Sequence, residues 1–159
     1  MSRWPRSAVA LPSFRWQWNA CSLAAFALSV AALVTPFFST HNCEVLGFAL
    51  HRGFSLVCHQ RPERSFWLFG APVAVCARCL GTYVGAAFGF LLRTSRTIAL
   101  RLFVAAIAIN ALDAASELAG LHGNWMAVRF WLGVLLGATA ALLIASSSSL
   151  TAAASGSSA

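Results

Sequence analysis

The sequence predicts an all-α fold: a polytopic membrane helical bundle of about four transmembrane helices, with an amphipathic or re-entrant segment in its first loop. Three observations predict it. Hydrophobic types fill 59% of the 159 positions and charged types only 9%, against roughly 25% charged in soluble domains. Mean hydropathy is +0.75. The apolar residues also gather into runs of about twenty, the length that crosses a ~30 Å hydrocarbon core. So little charge makes lipid the expected solvent, and the length allows one bundle, residues 1–145, with no second domain.

The elements follow in chain order. Residues 1–19 mix Arg3, Arg6 and Arg15 with Trp4, Trp16 and Trp18, an interfacial anchor of cations and aromatics. Residues 20–38 form the first span. It is too long for a signal peptide, and no Ala-x-Ala site follows, so a retained helix is expected. Residues 39–57 are apolar but broken by His51, Arg52 and Gly53, the pattern of an amphipathic helix at the surface or dipping in. Pro62, Gly70 and Pro72 make 58–75 a structured loop. Spans two, three and four are expected at about 76–92, 98–119 and 125–145, joined by turns at 93–96 and 120–124. The Ser/Ala tail, 146–159, reads as disordered.

The formal charge is +7, and every cation is an arginine. The arginines fall at the ends of apolar runs, where they suit loops and lipid headgroups. The expected partner is therefore the lipid bilayer, with no nucleic acid, since no binding motif accompanies the charge. The N-terminus and the 93–101 turn carry three arginines each, and the 120–124 turn carries none. Positive-inside then puts both termini in the cytoplasm, in a multi-pass protein of a bacterial inner membrane. Arg52, Arg61 and Arg64 in the outer loop count against this orientation, unless they serve a site.

In a four-span bundle the first and third loops share one membrane face. That face collects Cys58, His59, Cys76, Cys79, Asp113, Glu117, Asn124 and Arg129. Asn110, Asp113 and Glu117 lie at i, i+3 and i+7, on one side of span three. Cys76, Cys79 and Tyr83 share a side of span two, and Gly81, Gly85 and Gly89 lie opposite as a close-packing stripe. Gly133 and Gly137 repeat that stripe on span four. Acids inside spans are costly, so Asp113 and Glu117 either organise a site or simply pair with Arg129 to hold spans three and four together.

Cys58-His59 and Cys76-x-x-Cys79 supply four sulfur and nitrogen ligands, the set that zinc takes in a tetrahedron. Adjacent ligands such as Cys58 and His59 are unusual, so other readings stay open. Cys76 and Cys79 can act as a redox pair at a helix start, Cys58 can bridge Cys43 or one of that pair, or the thiols can be inert. Leu80 after Cys79 disfavours c-type haem. Cys21 reads as a small core hydrophobe. His41, His51 and His122 read as plain loop histidines, with His41 and Cys43 as spare ligands.

The stretch CHQRPERSF at 58–66, followed by VCARCLGTYVG at 75–85, resembles the signature of a family of prokaryotic membrane proteins, domain of unknown function 2085. The resemblance falls on Cys58, His59, Gln60, Pro62, Arg64, Ser65, Cys76, Arg78, Cys79, Gly81, Tyr83 and Gly85. It continues on Asp113, Asn124, Arg129 and Gly133, and covers about residues 50–140. It implies a multi-span membrane protein with a Cys/His site and no established activity.

The leading expectation is a metal site, with zinc as cofactor, on Cys58, His59, Cys76 and Cys79. A polar pocket of Arg64, Ser65, Arg78, Asp113, Glu117, Asn124 and Arg129 would lie beside it. The alternatives are a membrane thiol-disulfide oxidoreductase using Cys76 and Cys79, or a lipid-handling or transport protein whose arginines grip phosphate headgroups. No nucleophile and base pairing is readable, so whether the site is catalytic stays open.

Overall fold

A computed structural model describes residues 14–41, 43–121 and 123–156, with side chains for all of these except 14, 15 and 148–156. The described chain is mostly helical. Three helices have the length and apolarity to cross a membrane, over Trp16–Thr40, Arg96–Leu118 and Met126–Ser147.

Helix α1, Phe14–Thr40, contains the first expected span and starts six residues earlier. Two of its hydroxyls fold back on its own carbonyls, Ser29 Oγ on Ala25 at 2.9 Å and Thr35 Oγ1 on Ala31 at 2.8 Å. Hydroxyls satisfied in this way are tolerated in lipid. The expected interfacial anchor is only partly described, because residues 1–13 lie outside the described chain. Within it, Trp16 is exposed, but Trp18 is buried and stacks on Phe90 at 5.6 Å. Trp18 therefore packs the bundle.

Helix α2, Glu44–Phe54, doubles back along α1. Gly47 lets the two backbones meet, since a Cβ there would sit 2.6 Å from Ser39 Oγ and 2.9 Å from its nitrogen. The outer side of α2 leaves Val45, Leu46 and Phe48 exposed, as expected for an amphipathic segment at a lipid boundary. The loop then makes a 3-10 turn at Pro62–Arg64 and a hairpin of β1, Trp67–Leu68, with β2, Ala71–Pro72. The two turn residues, Phe69 and Gly70, both have positive φ, 53° and 81°, the pattern of a tight type I′ connection.

Helix α3, Ala77–Gly89, is the second expected span, and it is shorter than expected. Thirteen residues rise only about 20 Å. The helix starts after Cys76, whose backbone is extended, and ends at Phe90. The four-span count is therefore not met by helix length; three helices are long enough. Helix α3 runs parallel to helix α5, Met126–Gly156, and the glycine stripes interlock. A Cβ on Gly81, Gly85 or Gly89 would collide with the backbone of Phe130, Val134 or Ala138, and one on Gly133 or Gly137 with the carbonyls of Arg78 or Thr82. The two stripes expected to mark close packing thus meet each other.

Helix α4, Arg96–Leu118, is capped by Ser95, whose Oγ accepts from the Ile98 nitrogen at 3.4 Å. It joins α5 through buried Asn110, whose Nδ2 donates to the Leu132 carbonyl at 3.1 Å. Helix α5 overruns its expected end. It runs on to Gly156, and no glycine or proline interrupts the run before it. Ser146 and Ser147 Oγ donate back to the Leu143 carbonyl. A buried cluster of Ala32, Phe54, Cys58, Val73, Ala74, Val75 and Leu80 ties α1, the end of α2 and the loop to the start of α3. The site is built on this cluster.

Candidate metal centre and its arginine cleft

Sequence distance separates Cys58 from Cys76 and Cys79, and two local devices remove it. Val73, Ala74 and Val75 are fully buried, which fixes the strand-like entry into α3. Gln60 fixes the other side. Its Nε2 donates to the His51 carbonyl at 2.6 Å and the Ala74 carbonyl at 2.8 Å, stapling the end of α2 to that entry. Gln60 itself sits at φ 49°, a conformation that costs a non-glycine residue about 1–2 kcal/mol, and the two hydrogen bonds offset it.

The result is a sulfur cluster. The Sγ atoms of Cys58, Cys76 and Cys79 lie within 4.8 Å of one another. Cys58 Sγ also accepts backbone N–H groups from Cys76 at 3.3 Å and Gln60 at 3.5 Å. Hydrogen bonds from Cys76 and Cys79, their side chains foremost, hold the Cys58 thiol well below its ordinary range, against the opposing effect of burial. Three convergent sulfurs, one of them already accepting two backbone N–H groups, match the donor set that a soft cation takes. His59, the fourth expected ligand, is exposed and is not part of the sulfur cluster, but it lines the adjoining cleft.

That cleft, about 280 Å³, is lined by Cys58, Cys76 and Cys79 together with Arg61, Arg64, Arg78 and Arg129. Acids on α4 hold most of these cations. Asp113 Oδ2 accepts from Arg78 at 2.5 Å. Glu117 bridges two arginines, with Oε1 3.1 Å from Arg64 and Oε2 against Arg129. Glu117 pairs with Arg129, and with Asp113 it holds three of the four arginines that line the cleft. The i, i+3, i+7 reading of span three is observed as one working side, with Asn110 on α5, Asp113 on α3 and Glu117 on the loop and α5.

Two expected pocket residues do other work. Ser65 is fully buried, and its Oγ donates to the Arg61 carbonyl at 3.0 Å, which shapes the 3-10 turn. Asn124 reaches across to the Glu63 carbonyl and ties the α4–α5 turn to the first loop. Cys21 lies apart on α1, and Cys43 is exposed. His41 stacks on Phe37 at 4.3 Å. His51 belongs to α2, and His122 lies outside the described residues. Sequence reasoning missed Arg61 as a lining cation and Gln60 as the staple. The proximity of both to Cys58 in the motif was the available signal.

The family model described as "Predicted membrane protein (DUF2085)" matches residues 58–143. The chain belongs to this family. Among its relatives is the uncharacterised protein MJ1492 of Methanocaldococcus jannaschii, 32% identical over 135 residues, spanning 77% of this chain and 85% of that protein. An uncharacterised protein of Methanothermobacter thermautotrophicus is 33% identical over 95 residues, spanning 57% of this chain and 86% of that one. No solved structure matches the chain. Both relatives are archaeal, so the expectation of a bacterial origin finds no support in them. The family match starts at Cys58 and so takes in all three clustered thiols and the four cleft arginines.

Proposed function

We propose that this family member is an integral membrane protein that holds one transition metal ion, most simply zinc, on the thiolates of Cys58, Cys76 and Cys79. The three sulfurs and the exposed His59 line the same cleft, so a fourth ligand would come from that cleft: water, a bound ligand or His59. The observation that carries the reading is the convergence of three sulfurs from two distant segments, with backbone N–H groups already directed at Cys58 Sγ. Three thiolates around a divalent ion leave one negative charge, which the neighbouring arginines offset.

We further propose that α3, with residues 90–95, completes a fourth crossing, because it lies alongside α5 over most of the apolar depth. On that reading the termini and the 93–101 arginines face the cytoplasm, and the metal lies at the opposite face of the cell membrane. Closed four-ligand coordination would make the ion structural, whereas an open position would allow chemistry on a bound ligand.

The clustering of three thiols also favours one competing reading, thiol–disulfide exchange. Alkylation in native membranes separates the two. Metal-bound thiols at 58, 76 and 79 are expected to resist a maleimide until a chelator is added, then to react together. A pair that alternates between reactive and disulfide states with no effect of chelator would reject the metal reading.

A further inference from the structure

Beside the arginine cleft lies a second, very different cavity. An apolar groove of about 450 Å³ lies between α1, α2 and α3, walled by Leu28, Ala31, Ala49, Phe54 and Tyr83. Val57 lines both cavities. Tyr83 stands one helical turn beyond Cys79, and its ring lies 6.3 Å from that of Phe54. A molecule that follows α3 from Cys79 to Tyr83 thus passes from guanidinium groups to hydrocarbon walls. The groove is open on its outer side, where Leu28, Gly53 and Val57 are exposed.

The charges select what lies in the polar half. Four arginines line the cleft, and the acids facing them are Asp113 and Glu117. A divalent ion with three thiolates adds one negative charge. One positive charge is left over with the metal bound. Arg61 makes no ion pair among the described residues and stands exposed at the rim. Glu63 lies outside the cleft lining. Arginine forks aimed at a water-facing opening suit phosphate oxygens.

We propose that the two cavities form one site for an anionic amphiphile: a phosphate-headed membrane lipid, with its head on Arg61 and Arg64 and one chain in the groove beside Tyr83. A free anion would use the cleft and leave the groove idle. A neutral lipid would use the groove and leave the extra cation unmatched. The site needs the arginines and the groove, and not the metal, so it stands apart from the metal reading.

The test is native mass spectrometry of the full chain in a neutral detergent, titrated with dioleoylphosphatidate and with dioleoylphosphatidylcholine. Wild type is expected to bind phosphatidate about tenfold more tightly than phosphatidylcholine. Arg61→Glu reverses an exposed, unpaired charge and should remove that preference. Gly53→Leu fills the groove at a position where a Cβ meets nothing within 4 Å, and should weaken phosphatidate several-fold. Inorganic phosphate at millimolar concentration should not displace the lipid. Equal binding of the two lipids, or indifference to either substitution, overturns the proposal. Displacement by inorganic phosphate, with Gly53→Leu silent, shows a free-anion site and also overturns it. Cys76→Ser keeps the two readings separable: it should lose metal and retain the lipid preference.

Discussion

Glutamate 117 is the point at which the cleft can be tested hardest. Replacing it by glutamine keeps the shape and removes the one charge that faces both Arg64 and Arg129. The Arg129 side chain is only 7% exposed, whereas that of Arg64 is 36% exposed. Stranding a buried partner costs about 3–5 kcal/mol, and a pair near solvent contributes about 0–1 kcal/mol. Glu117 is itself 21% exposed, so the lower end applies, about 3 kcal/mol in all. For a chain of this size that is a Tm lower by roughly 6–12 °C. Thermal unfolding in detergent, followed by tryptophan fluorescence, reads it. The decisive comparison is the cycle with Arg129→Met. Removing the stranded cation should return about 1–2 kcal/mol, making the double variant more stable than Glu117→Gln alone. Losses that simply add would mean the two side chains do not interact, and the described cleft wall would be wrong.

Other outcomes follow from the same geometry. Gly85→Val forces a side chain into the Val134 backbone; it should destabilise the protein by about 1–3 kcal/mol and lower metal content, since α3 carries Cys79. Gln60→Ala removes the staple on the His51 and Ala74 carbonyls. It should cost about 1–3 kcal/mol in thermal unfolding and expose Cys58 to alkylation. His59→Ala should retain bound metal while Cys58→Ser loses it, as measured on the purified variants, because only the thiol belongs to the sulfur cluster. Asn110→Ala should cost about 0.6 kcal/mol, a small Tm shift that leaves metal content unchanged.

Much of this was legible in the sequence where the physics is periodic. The glycine stripes at 81, 85, 89 and at 133, 137 are spaced by one helical turn, so two close-packing helix faces could be read directly, though not that they pack on each other. The i, i+3, i+7 set of Asn110, Asp113 and Glu117 behaved likewise. Helix length was less legible, because the apolar run at 76–92 says nothing of where the helix stops, and α3 ends at Gly89. The ligand set divided along the same line. Cys58 faces Cys76 and Cys79 at the start of α3 where Gln60 adopts a positive φ and its side chain bridges two segments, and no spacing rule encodes either event. The same turn leaves His59 exposed, although it is the next residue in the chain.

The central claim is that sulfurs 58, 76 and 79 share an ion. Elemental analysis of the full chain, purified in detergent without chelator, tests it most directly against Cys76→Ser prepared in parallel. The account expects about one transition-metal ion per wild-type chain and loss of most of it in the variant. Less than about a tenth of an equivalent in wild type, or equal metal in both preparations, would contradict it.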